Sequence, residues 1–190
     1  YNFMKHAGFP VDHIKIVGAI RFADLYKQHT SKVSLHELRA KNNLPSDKII
    51  LFAPTSLLID ETINMLDSLI YAINNDKSKY YIILKLHPAA NVKIFSKKLN
   101  FYLDGKWDSN SYYIAPNTIN TYEFIIMSDL SIFLGGSLVI EALVLGEKKV
   151  LVYLPKNNFS HNPIAKYPDS VSCAFDRDSM KKGIEKLNDN

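Results

Sequence analysis

The chain has 190 residues, 47% of them hydrophobic and 22% charged, with a formal net charge of +4, which describes an ordinary globular protein. No apolar run reaches the roughly 18 residues that a membrane span needs, no signal peptide is expected, and the lone Cys173 gives no expectation of a disulfide or a cysteine-built metal site. The lysines are scattered, without an arginine-rich patch interleaved with aromatics, so the charge suits a phosphorylated ligand or an anionic membrane surface and gives no case for nucleic acid.

The chain opens at Tyr1 in what reads as the middle of a longer protein, so residues 1–45 are expected to be a lead-in segment and linker helix after a preceding domain, and residues 46–190 a ligand-binding domain. Within the lead-in, Gly8 to Pro10 is a turn and Ile14 to Val17 a short β-prone piece; His6 and His13 lack partners at ligand spacing and read as solvated. Ser34-Leu35-His36-Glu37 has the pattern of a capping box that opens a helix to about Asn42. Lys48 to Thr55 is a buried strand ending at a proline and two hydroxyl residues, Thr55 and Ser56. Ile59, Ile63, Leu66, Ile70 and Ile73 then recur at helical spacing.

Tyr80 to Pro88 is the next strand, closed by His87-Pro88, and Val92 to Leu103 a helix of mixed apolar and basic residues. Ser111 to Ala115 is a strand followed by a turn at Asn117 and Thr118, and Asn120 to Glu123 caps a short helix. The central unit is Leu130 to Leu154: a strand, the turn Gly135-Gly136, a helix with Ser137 as its expected N-cap, Gly146, and a second buried strand. A polar stretch, residues 155–170 with His161, reads as a surface loop. Val171 to Phe175 is a last strand and Asp176 to Leu187 a last helix, with Asp176 and Asp178 at its positive end. Strands and helices alternating at crossover spacing predict an α/β, Rossmann-like parallel sheet with helices on both faces.

In such sheets ligands lie beyond the carboxyl ends of the strands, so Thr55, Ser56, His87, Pro88, Asn117, Thr118, Gly135, Gly136 and Ser137 are the candidate binding residues. The glycine turn lets a ligand approach the backbone, and the helix start behind it favours a phosphate. Glu141, one turn deeper, is placed to accept hydrogen bonds from ribose hydroxyls. A nucleotide is the ligand this pattern predicts.

KIILFAPT, ILKLHP and FLGGSLVIEALVLGEKKVLVYLP together resemble the C-terminal, donor-binding domain of GT-B-fold transferases. The likeness is to CDP-glycerol glycerophosphotransferases, bacterial sialyltransferases and polysialyltransferases, and related capsule and surface-carbohydrate enzymes. The lead-in HIKIVGAIRFADLY is also similar to a segment of UDP-N-acetylglucosamine 2-epimerases. The resemblance implies a glycosyltransferase-like enzyme that moves a sugar or glycerophosphate from a CMP-, CDP- or UDP-activated donor to a cell-surface polysaccharide or lipopolysaccharide acceptor. It further implies that His87 contacts the donor's phosphate or cytidine portion as the catalytic histidine, that Ser137 binds phosphate and that Glu141 holds ribose. Many members carry two hydroxyl residues in the turn, whereas this chain has Gly136 before Ser137. No metal or other cofactor is expected, and the acceptor's general base is expected in the preceding domain. A cytoplasmic setting is expected; for the basic and apolar stretch Val92 to Trp107, packing against the sheet is expected over the alternative, a peripheral contact with the inner face of the cytoplasmic membrane. An epimerase or hydrolase of UDP-N-acetylhexosamine and a non-catalytic nucleotide-sugar-binding module are the alternatives.

Overall fold

Strands whose residues are apolar on both faces must be covered on both, and this requirement sets the architecture. A computed structural model describes residues 34–115, 120–145, 149–155 and 171–188. His6, His13, the expected β-prone piece 14–17, Asn117, Thr118, Gly146 and His161 lie outside the described residues. Strands β1 (Ile49–Pro54), β2 (Tyr80–Lys85), β3 (Tyr112–Ala115), β4 (Leu130–Phe133), β5 (Lys149–Tyr153) and β6 (Ser172–Ala174) form a six-stranded sheet. Every pairing is parallel, in the order β3-β2-β1-β4-β5-β6. The order reverses between β1 and β4, the switch point at which doubly wound sheets open a crevice.

Among the described residues, six α-helices accompany the strands: α1 (Leu35–Lys41), α2 (Ile59–Ala72), α3 (Val92–Leu103), α4 (Thr121–Met127), α5 (Ser137–Val144) and α6 (Arg177–Asn188). Alternation along β1 divides the core. Leu51 and Ala53 join Met65, Leu66 and Leu69 of α2, Leu99 of α3 and Met180 and Ile184 of α6. Ile50 and Phe52 face the other layer, with Phe124 of α4, Val139 and Ala142 of α5, and Phe133. Phe52 stacks on Phe124 at 6.0 Å and meets Phe133 edge-on at 6.2 Å, both within the range of favourable ring geometry. Helices therefore cover both faces, as the alternation of elements predicts.

Helix α1 ends in a Schellman motif: Asn43 adopts φ 54°, Leu44 N–H bonds the Arg39 carbonyl at 2.9 Å and Asn43 N–H bonds Ala40 at 3.1 Å. Ser34 occupies the N-cap position of α1, but its side chain makes no capping bond, so the expected capping box is absent. Tertiary contacts hold the helix instead. Arg39 Nε donates to the Met127 carbonyl at 2.8 Å and its guanidinium pairs with Asp129 at 2.9 Å. Asp129 in turn accepts the Ile50 N–H at 2.7 Å, so α1 is tied to the start of β1.

Packing accounts for Phe95, Leu99 and Leu103 of α3, while Ile94 and Phe101 stay 53% and 85% exposed on its outer face. Ahead of α6, Asp176 accepts the Ser179 N–H at 2.8 Å, the capping role expected of it. No helix among the described residues is long and apolar enough to cross a membrane.

Candidate functional site

Because β2, β1 and β4 are neighbours running the same way, the residues after each strand meet at one rim of the sheet. There they line a cleft of about 470 Å³. It brings together Thr55, Ser56, His87, Pro88, Gly135, Gly136 and Ser137. Glu141 lies one helical turn below the rim, 5% exposed, and is not among the described residues that line the cleft. It is buried, as are Val139 and Ala142 of the same short helix.

The loop after β1 is built by hydroxyl groups. Thr55 N–H bonds the Lys85 carbonyl at 2.8 Å, continuing the β1–β2 ladder, and Thr55 Oγ1 accepts the His87 N–H at 3.0 Å. Ser56 Oγ accepts from Leu58 N–H at 3.1 Å and donates to Glu61 Oε2 at 2.5 Å, while Ser56 N–H bonds Thr62 Oγ1 at 3.0 Å. The N-cap of α2 is Leu58, with no side-chain capping bond. The Thr55 and Ser56 hydroxyls shape the loop and fix its neighbour.

His87 follows β2, half-buried, with its backbone pinned on both sides. Its N–H goes to Thr55, its carbonyl accepts the Ala90 N–H at 2.8 Å, and its ring Nδ1 accepts the Ala89 N–H at 3.1 Å. Across the cleft the chain turns sharply: Gly135 has φ 103° and Gly136 φ 86° with ψ −178°, a region open essentially to glycine. Gly136, not Ser137, is the N-cap of α5, and Ser137 is its first helical residue. Two successive left-handed residues bring the chain into the helix one position earlier than the serine signal implies. The first-turn N–H groups of α5 lack intrahelical partners and, with the helix dipole, favour an anion in front of Gly136 and Ser137.

Sequence reasoning passed over Lys85, Glu61 and Thr121, which line the same cleft. Lys85 is only 3% exposed, and burial pushes its ammonium below the usual lysine range. A lysine inside the apolar run YYIILKLHP, two residues before the histidine, was the signal available.

A larger depression, about 910 Å³, lies at the opposite rim, where Ile49, Tyr80 and Lys149 begin their strands. Helices α2 and α4 end there, at Ala72 and Met127. Helix carboxyl ends and strand starts suit a phosphorylated ligand less well than the opposite rim, where helices begin.

No protein-family model matches the chain, and no curated protein sequence does. Solved structures match it in fold. A glycosyltransferase from Rickettsia africae ESF-5 aligns with a TM-score of 0.65 at 14% identity, covering 87% of this chain and 44% of that one. The E. coli trehalose-6-phosphate structure bound with UDP-2-fluoro glucose aligns at 0.63 and 9%, covering 88% and 42%. The wall teichoic acid polymerase TagF aligns at 0.61 and 21%, covering 94% and 44%. This chain shares the Rossmann-like fold of these structures, and it spans less than half the length of each.

Proposed function

We propose that this chain is the donor-binding half of a GT-B glycosyltransferase-like enzyme. On this reading the enzyme transfers a sugar or glycerophosphate from a CMP-, CDP- or UDP-activated donor to a cell-surface polysaccharide or lipopolysaccharide acceptor. The supporting observation is the single cleft that His87 shares with the glycine turn and the start of α5. Phosphate sits at Gly135 to Ser137, and the ribose is assigned to Glu141. When the glycosyl or phosphoglyceryl bond breaks, negative charge grows on the departing nucleotide. N–H groups and an imidazole fixed in advance stabilise that charge more in the transition state than in the ground state, which lowers the barrier. This requires no metal ion. The base that activates the acceptor belongs to another part of the enzyme. The UDP-2-fluoro glucose bound by one structural neighbour supports a nucleotide-activated donor, and the wall teichoic acid polymerase among the neighbours supports a cell-surface acceptor. The epimerase and non-catalytic readings have no observation of their own in their favour.

Calorimetric titration of the chain with CMP, CDP and UDP, in the presence of EDTA, tests the proposal. Saturable binding with preference for one base is expected, weakened at least tenfold in His87→Ala. Glu141→Ala is expected to weaken nucleotides but not inorganic pyrophosphate, because its assigned partner is the ribose. Absence of binding by any of the three nucleotides rejects the reading.

A further inference from the structure

The hydrogen bonds around His87 distinguish its two ring nitrogens. A neutral imidazole carries one N–H and one bare nitrogen, and the partner of one ring atom reveals the state of the other. Nδ1 accepts the Ala89 N–H, so Nδ1 is the bare nitrogen and the ring hydrogen resides on Nε2. Placing a proton on Nδ1 would set two donors against each other at 3.1 Å and break that bond. The turn that presents Ala89 is itself fixed, because the His87 carbonyl takes the Ala90 N–H at 2.8 Å. Thr55 supplies the other anchor. The residue is buried, 6% exposed, and its hydroxyl accepts the His87 N–H at 3.0 Å, joining the ends of β1 and β2 at the cleft.

We propose that His87 engages its ligand as a neutral imidazole through Nε2–H, donating to a phosphate oxygen, and that Thr55 is the residue that positions it. The proposal rests on the nucleotide-donor reading above and narrows the ligand atom to one that accepts a hydrogen bond and brings no proton of its own. A ring held in this state has no lone pair to offer a hydroxyl group, because one nitrogen is protonated and the other is occupied by Ala89. His87 is therefore a preorganised donor to the leaving group and not the base toward an acceptor. The phosphate is favoured over a carbonyl of the base because the first-turn N–H groups of α5 line the same cleft and gather negative charge there.

The test uses the full chain and CDP, with pyrophosphate and cytidine as separate arms. In glutamine the side-chain NH₂ reaches about as far as Nε2, and in asparagine about as far as Nδ1. His87→Gln is expected to keep CDP affinity within about threefold of wild type, whereas His87→Asn and His87→Ala each lose at least tenfold. Thr55→Val is expected to lose several-fold and Thr55→Ser to recover it, with affinities compared well below the melting temperature of each variant, since valine also leaves the His87 N–H without its acceptor. Pyrophosphate affinity is expected to follow the same order, and cytidine affinity to be indifferent to His87. Nitrogen-15 spectra of the imidazole, free and with CDP at neutral pH, are expected to show a bare Nδ1 and a protonated Nε2. An Nδ1–H or doubly protonated pattern overturns the proposal, as does retention by His87→Asn with loss in His87→Gln, or a response of cytidine but not pyrophosphate. A wild-type chain that binds no phosphate compound overturns the functional reading beneath it, whereas CDP binding that survives His87→Ala leaves that reading standing and removes only this one.

Discussion

Gly136 is where single-residue chemistry is most exposed to test. Its φ of 86° with ψ −178° belongs to a region that side chains avoid, and a Cβ built on it meets no other atom within 4 Å. The cost of Gly136→Ala is therefore conformational, about 1–3 kcal/mol, and not a clash inside the protein. That open space is the cleft itself, so the added methyl stands where a phosphate must approach the backbone. Urea unfolding of Gly136→Ala is expected to show the modest loss, and calorimetry a much larger loss of nucleotide affinity than stability alone accounts for. Equal affinity in the variant would remove the glycine turn from the site. The same residue shows how a local rule misleads: Ser137 has the right chemistry for an N-cap, but backbone angles at Gly135 and Gly136 decide where the helix starts, and a one-letter string does not display angles.

At the level of whole elements, the contact between α6 and the sheet sets two magnitudes against each other. Gly183 lies inside α6, where alanine normally gains about 1 kcal/mol of helix propensity. A Cβ there would run into Leu151 Cδ1, and Leu151 is fully buried in β5. Overpacking of this kind costs about 1–3 kcal/mol, so the packing term wins and Gly183→Ala is expected to destabilise. Chemical denaturation should show a lowered midpoint for Gly183→Ala, substantially restored when Leu151→Val makes space in the same chain; a stabilised single variant would contradict the packing. Element positions themselves were readable, because β1, β2 and β5 are apolar runs covered on both faces and α2 repeats Ile59, Ile63, Leu66 and Ile70 at helical spacing. The rim that gathers Thr55, His87 and the glycine turn followed from strand ends in a parallel sheet. Lys85 did not, since its importance depends on which side of β2 and which end of the sheet it occupies. Glu141 marks the converse case: helical spacing placed it on the face of Ser137 but did not say how far the helix dips below the rim.

Across the molecule, one polar clasp joins all three helices of the layer opposite α4 and α5. Asp67 of α2 accepts from the Tyr102 hydroxyl of α3 at 3.1 Å and from Arg177 Nε of α6 at 3.0 Å, with the rest of the Arg177 guanidinium closing a salt bridge. No pattern along the chain announces it, because Arg177 stands 110 residues from Asp67. The Arg177 hydrogen bond holds the Asp67 carboxyl below the usual carboxylate range, against the opposing effect of burial, and burial followed by the Asp67 charge pushes the Tyr102 hydroxyl up. A carboxyl whose folded value is depressed adds stability that is complete above its unfolded value, near pH 4, and is lost as pH falls through the folded value. Arg177→Gln is thus expected to lower the urea midpoint by a small, constant amount from pH 5 to pH 8, as suits an exposed pair. That difference should shrink below about pH 4 as both proteins protonate Asp67, and it should also shrink in high salt, which screens the pair. A difference that persists undiminished in acid would show that Arg177 acts through its packing over the Tyr71 ring, 5.7 Å away, and not through the carboxylate. Because α2 also carries Glu61 and the loop that positions Thr55, loosening this clasp is expected to be felt at the cleft as a small loss of nucleotide affinity with the same pH dependence.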